Sequence, residues 1–391
     1  MEEMKEQEEQ KSLLNVETSR RNFLRGTAAV AAGVTVGGLL TSCATPGRAA
    51  TIGDVSDPLL EDLKAEGLRR IINNPAVNDM GVHFQTDRWI YLGNHWTWEG
   101  RQIIPPFKDF TGEKLADEPL WGVVAGNDHI WHEFQKNAVI GPFHMTPLQA
   151  FMYAFPNETN VRSSDLSVLS WVLPKTRATI AENAAQPVNP GMPGDLWGIA
   201  RQVGEVTINK GLMTELIKYL EERGIQAVAP EFLPEFRSVN PGNKWTFASN
   251  WSHRHVAFAA GHGTFGLSDG LITKVGKAHR VGSIVIRARM KPTPRPYTSN
   301  RAYCLYFKDG SCAQCVARCP VNSVRKLEDG GRNKVPCQNH LLLGTPPGAP
   351  NSTRAHLNER LGINGHACGL CQTGVLCATR IPFGVLPPVD A

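Results

Sequence analysis

The sequence predicts a mixed α+β chain built in several units, and three observations carry that reading. Between residues 161 and 300, short apolar runs closed by proline alternate with stretches of helical periodicity. Eight of the nine cysteines crowd between positions 304 and 377, so the C-terminal part has its own chemistry. The first 43 residues have the layout of an address rather than of a fold. At 391 residues, 41% hydrophobic and 20% charged, the composition is ordinary for a globular protein and excludes wholesale disorder or collagen-like repeats. A net charge of +5, with acids and bases mixed along most of the chain, gives nucleic acid no support as a partner. One tract stands apart: no acidic residue falls between Asp269 and Asp309.

Residues 1–18 are polar and charged, and Ser19-Arg20-Arg21-Asn22-Phe23-Leu24-Arg25 then fits the twin-arginine export pattern. The apolar run over residues 26–40 is 15 residues long, the size of a signal-peptide core and too short to span a bilayer comfortably. It ends in Leu40-Thr41-Ser42-Cys43, which resembles a lipoprotein cleavage box with Cys43 as the acylated residue; the alternative is cleavage near Arg48-Ala49-Ala50. No other stretch approaches about 18 consecutive apolar residues. The mature chain is therefore expected in the periplasm or on the outer face of the cytoplasmic membrane, lipid-anchored at Cys43 if the box is used. The twin-arginine route carries folded proteins, which suits a chain that receives a cofactor before export.

Residues 44–164 form an aromatic-rich unit. Asp57-Pro58 is a good helix start, followed by Leu60, Leu63, Leu68 and Ile71 at roughly helical spacing. Trp89, Trp96, Trp98, Trp121 and Trp131 read mostly as core filler rather than as a pocket. His83, His95, His129, His132 and His144 lack a compact ligand spacing, so zinc is not expected there. Within 165–300, residues 168–173 read as a buried strand closed by Pro174. Residues 205–223 read as an amphipathic helix capped by Gly224, 225–229 as a strand and 253–260 as a helix. Gly261-His262-Gly263-Thr264-Phe265-Gly266 follows, dense enough in glycine to let a backbone approach a flat or anionic ligand. It does not read as a dinucleotide site, because a helix precedes it and no acid stands about 20 positions later. Leu271–Thr273 and 283–286 read as strands around a basic loop holding Lys277, His279 and Arg280.

Residues 301–391 hold Cys304, then Cys312-x2-Cys315-x3-Cys319-Pro320, then Cys337, then Cys368-x2-Cys371-x5-Cys377. Zinc and disulfides are both conceivable for paired cysteines. The Cys-x2-Cys-x3-Cys-Pro run instead belongs to bacterial ferredoxins, in which the last cysteine ligates the other cluster. Eight cysteines then divide into two sets of four. Cys304, Cys312, Cys315 and Cys377 hold one [4Fe–4S] cluster; Cys319, Cys337, Cys368 and Cys371 hold the second. The usual first cysteine falls at Asp309, so either Cys304 substitutes from farther away or Asp309 ligates.

An export signal, a mixed α/β body and a terminal two-cluster module together resemble the reductive dehalogenases. The tract from Ala259 to Gly266, then Gly270-Leu271-Ile272-Thr273, then Cys312 to Pro320, is similar to that family and to its cytoplasmic relatives, the epoxyqueuosine reductases. The resemblance covers about residues 165–385. It implies a nitroreductase-like corrinoid-binding domain over 165–300, followed by a ferredoxin-like domain with two [4Fe–4S] clusters over 301–391. It also implies cobalamin bound base-off, which agrees with the absence of an Asp-x-His-x-x-Gly motif. Gly261, His262, Gly263, Thr264, Phe265, Gly266, Gly270, Leu271 and Thr273 would pack against the corrin. The implied activity is reductive cleavage of a carbon–halogen bond in an organohalide, fed by a membrane-bound electron donor or anchor protein. In the family a tyrosine backed by a lysine or arginine gives the proton, and the queuosine relatives use an aspartate. Residues 246–253 hold neither, so His253 is the nearest titratable substitute, with Lys277, His279 and Arg280 as the basic group. Two other readings stay open: a corrinoid reductase acting on a non-halogenated substrate, and a lipid-anchored ferredoxin-type electron carrier.

Overall fold

The structure is a computed structural model that describes residues 57–85, 88–89, 110–239, 248–344 and 351–385. The export segment with Cys43, the side chain of Trp89, and His95, Trp96, Trp98, Thr246 and Phe247 lie outside the described residues. The described residues belong to one compact unit.

Its centre is a four-stranded antiparallel sheet. Strand β1 (Leu120–Ala125) pairs with β2 (Ser167–Pro174), β2 with β6 (His279–Ile286), and β6 with the two-residue β3 (Ala227–Val228). All eight residues of β2 are buried, because both faces of the sheet are covered. Leu169, Trp171 and Leu173 point to one core, with Ile199, Val203, Ile208 and Leu212. Val168 points to the other, with Trp131, Phe151, Trp251 and Val256. Two-sided burial explains why β2 reads as a continuous apolar run rather than an alternating one. Trp131 is core, as its size suggests: it is 1% exposed, stacks on Trp251 at 5.7 Å and donates its Nε1–H to Ala125 O. The unit boundary expected at 164/165 runs through this sheet, since β1 is hydrogen-bonded along β2.

Around the sheet lie α1 (Asp57–Gly67), α2 (Pro147–Ala154), α3 (Arg177–Ala185), α4 (Asp195–Gly204) and α5 (Lys210–Glu221). The helix expected over 205–223 starts ten residues earlier, at Asp195, and passes through one π turn at Glu205–Asn209. Most of α4 is buried, its polar residues Asp195 and Gln202 included. The π turn brings Glu205 and Asn209 inward, where Asn209 donates to Glu205 Oε1 at 3.0 Å and accepts from Trp171 Nε1 at 2.9 Å. Gly224, at φ +70°, follows the end of α5 as expected.

Helix α6 (His253–Ala259) leads into a hairpin of β4 (Gly263–Phe265) and β5 (Leu271–Thr273). Strand β6 begins four residues before the expected 283, so His279 and Arg280 are strand residues rather than members of a solvated loop. The C-terminal part carries the short helices α7 (Leu305–Asp309), α8 (Gln314–Ala317), α9 (Lys334–Leu342) and α10 (Thr353–Leu361). It is tied to the segment just before β6, where Lys277 N donates to Cys377 O at 2.9 Å, and Ala278 N to Ala378 O at 3.1 Å. Among the described residues, no helix is long and apolar enough to cross a membrane.

Candidate functional site

The eight terminal cysteines fall into two neighbourhoods. Cys304, Cys312, Cys315 and Cys377 line a single cavity together with Gly266, Leu267, Ile272 and Lys277. Cys304 stands just before α7 and Cys315 lies within α8, while Cys377 is held by the backbone pairing with Lys277. Cys319, Cys337, Cys368 and Cys371 are electrostatic neighbours of one another. Cys371 also acts on Cys315, so it stands between the groups. All eight thiols are free. Burial pushes Cys315 up to about 12 and raises Cys337, Cys368 and Cys377. A metal that binds here must therefore displace protons. Asp309 turns its carboxylate to Ser311 N at 2.9 Å, on the exposed side of α7, whereas Cys304 is on the cavity wall.

Among the described residues, no three His, Cys, Asp or Glu side chains converge as ligands of one bare metal ion. The cysteine groups are more open than that. A cubane is held by thiolates on four separate irons, so its sulfur ligands stand farther apart than those around a single ion. Each group also has a buried cation. Lys277, 2% exposed, donates to Cys377 and to Ser268 Oγ at 3.2 Å. Arg332 donates to Cys337.

A second feature lies where α4, α6 and β6 meet. Arg254 is surrounded deeply enough that desolvation lowers its pKa, yet its side chain is exposed, so it faces a recess within the molecule. Arg201, half-buried, is held down to about 9 by burial and by Arg280. Among the described residues neither guanidinium has a hydrogen-bond or ion-pair partner. Glu205 is taken by Arg280, and Glu231 by His253 at 3.2 Å and Lys210 at 3.4 Å. The charges acting on Arg254 include Arg332, Asp269 and Cys371, which puts the recess beside the second cysteine group.

The structure distributes the expected catalytic residues differently from the sequence reading. Lys277 faces the cysteine cavity, away from any solvated loop. Arg280 is committed to Glu205. His279 donates Nε2–H to Leu271 O at 2.8 Å, and burial lowers it to about 3, so the ring is neutral and Nδ1 is an unpartnered acceptor. His253 contacts Ser283 Oγ through Nδ1 at 2.9 Å and Glu231 through Nε2, so both nitrogens are engaged. Tyr297 donates to Phe258 O and burial drives its pKa upward.

The glycine-rich tract is packed by its own chain. A Cβ at Gly263 would come within 1.9 Å of Ile272 O, across the hairpin, and one at Gly261 (φ +80°) within 2.4 Å of Pro294 O. Thr264 is fully buried and accepts from Tyr303 N; Thr273 donates to Gly276 O. His262 is 7% exposed, Phe265 is buried against Phe258, and Leu271 is buried as well. Gly266 and Gly270 close the hairpin, with Gly266 N donating to Gly270 O. The close approach at these glycines is chain against chain.

Arg201, Arg254, Glu205, Glu231 and Arg332 were not singled out from sequence. Arg201 and Glu205 lie four apart on one helix, a spacing that reads as an ordinary surface pair. Only the covering of α4 turns it into an interior charge.

Residues 17–37 match the model of the twin-arginine translocation (TAT) pathway signal sequence. The chain carries that export signal. No curated protein matches it. Similar solved structures include epoxyqueuosine reductase from Bacillus subtilis with its catalytic loop swung out of the active site, at 14% identity and a TM-score of 0.34. Epoxyqueuosine reductase with an epoxyqueuosine-modified tRNA stem loop is similar at 14% identity and a TM-score of 0.35. Each match covers 70% of this chain, and this chain spans 64% of the length of those proteins. A likeness of that size says nothing about activity.

Proposed function

We propose that the chain is an exported, corrinoid- and iron–sulfur-dependent reductase of the reductive dehalogenase type, cleaving a carbon–halogen bond in a small organohalide. The single observation that carries this reading is the adjacency of two four-cysteine groups to a recess with two unpartnered guanidinium groups. A ferredoxin-type carrier needs the cysteines but has no use for the recess. In this reading residues 301–391 form the ferredoxin-like part, and the sheet with its helices forms a nitroreductase-like corrinoid-binding part.

The residues present suit both groups. Cys304, Cys312, Cys315 and Cys377 hold one [4Fe–4S] cluster, and Cys319, Cys337, Cys368 and Cys371 the other. Base-off cobalamin would be held at the recess by Arg201 and Arg254, since the amide rim of a corrin offers acceptors to guanidinium donors. The hairpin Gly263–Thr273 forms a wall behind it. When bound, the corrinoid supplies a strongly reducing cobalt centre for carbon–halogen cleavage.

This chain's own side chains then have three tasks. Arg201 and Arg254 stabilise the negative charge that develops as halide departs, an effect magnified where water is excluded. They also orient a water that gives the proton to the carbon, because His253 is engaged at both nitrogens and His279 is neutral. The Glu205–Arg280 pair fixes the start of β6 against the π turn, which holds the recess open. Delivery of electrons comes from a membrane-bound donor or anchor protein, and the chain works in the periplasm or on the outer face of the membrane, held by a lipid at Cys43. The test is turnover of halogenated and non-halogenated substrates by the reduced, anaerobically isolated protein, read as halide released. Release of halide supports the reading. Full loading with iron and cobalt but turnover of only non-halogenated substrates favours the second reading, which the lack of Tyr or Asp over residues 246–253 supports.

A further inference from the structure

The two cysteine groups differ in how their buried cations are balanced, and one hairpin turn makes the difference. Residues 266–270 connect β4 to β5, and their tip carries Ser268 and Asp269 side by side. Ser268 Oγ accepts from Lys277, the cation of the Cys304, Cys312, Cys315 and Cys377 cavity. Asp269 stands 3.8 Å from Nε of Arg332, the cation of the other group, and is shared with Arg301 at 3.2 Å. One cation therefore has a neutral neighbour and the other an acidic one.

We propose that this turn holds the two clusters at different potentials, with the cluster at Cys304, Cys312, Cys315 and Cys377 the higher. The inference rests on the reading that both groups carry [4Fe–4S] clusters. Reducing a thiolate-bound cluster adds one electron to a site that is already anionic. A buried positive charge favours that reduced form, and its hydrogen bond to a ligand sulfur acts in the same direction. Lys277 exerts both effects on Cys377 and, among the described residues, forms no ion pair with a carboxylate. Arg332 exerts them on Cys337, but Asp269 offsets part of its field. Lys277 and Arg332 act here as positioning and tuning residues; neither is a ligand.

The experiment is a redox titration of the full chain, isolated anaerobically with its clusters and followed by electron paramagnetic resonance. Cys315→Ser identifies the signal of the first cluster. Lys277→Gln is expected to shift that signal to lower potential and leave the other in place. Lys277→Arg, which keeps the charge, is expected to restore most of the shift. Asp269→Asn touches no cysteine and is expected to raise the second cluster alone, so the proposal stays testable if Lys277→Gln loads poorly. Unchanged midpoints in Lys277→Gln and Asp269→Asn, or equal shifts of both signals, overturn it while leaving the clusters standing. A wild-type chain without iron and sulfide instead removes the reading beneath it.

Discussion

At the scale of single residues, burial decides what each titratable group does. His144, 1% exposed, and His262, 7% exposed, are both held down to about 4 by desolvation, against an ordinary value of 6.5. Between those values the unfolded chain binds protons that the folded chain refuses. Stability from these groups is therefore fully present above about pH 6.5 and falls as the pH drops, by about 1.4 kcal/mol per unit for each histidine. The thermal midpoint is expected to decline from pH 7 to pH 5, and to decline less in His262→Asn; a flat profile contradicts this. Arg254 belongs to the same scale. If its guanidinium meets developing charge, Arg254→Gln should lower turnover by about 10²-fold with iron content unchanged. Equal turnover in the variant removes that role. Sequence alone marked the cysteines because their spacing is itself the signal. It gave nothing for Arg254, whose surroundings are made by tertiary packing.

At the scale of elements, local patterns located most strands and helices and missed a few. Strand β2 and strand β5 were legible as apolar runs, whereas β4 lay hidden in what reads as a glycine-rich tract. Helix α4 was not read, although its residues repeat at helical spacing, and packing buries it nearly all round. The start of β6 was not either, because Lys277, His279 and Arg280 look like a solvated loop until α4 and the cysteine loops cover them. Gly276 shows how tightly that junction is made. Its φ is +78°, and a Cβ there would lie 2.2 Å from Ala378 O. Gly276→Ala combines left-handed strain of about 1–3 kcal/mol with a clash against the loop that carries Cys377. It is expected to reduce iron from about eight to about four per chain, the usual content of one remaining cluster. Full iron content in that variant would show that the junction is not what holds Cys377.

At the scale of the whole molecule, export and cofactor content are one problem. The twin-arginine pair is read by a receptor and not by the fold, so Arg20→Lys with Arg21→Lys should leave folded precursor in the cytoplasm. Normal appearance of that variant outside the cytoplasm contradicts the assignment. The central claim is that the body holds a corrinoid beside two clusters, and metal analysis of the anaerobically purified protein tests it most directly. The prediction is about eight iron and eight acid-labile sulfide per chain, from two [4Fe–4S] clusters. One cobalt per chain should accompany them, with a brown chromophore and corrinoid absorption. Stoichiometric zinc with no brown colour contradicts the cluster claim, and eight iron with no cobalt contradicts the corrinoid claim.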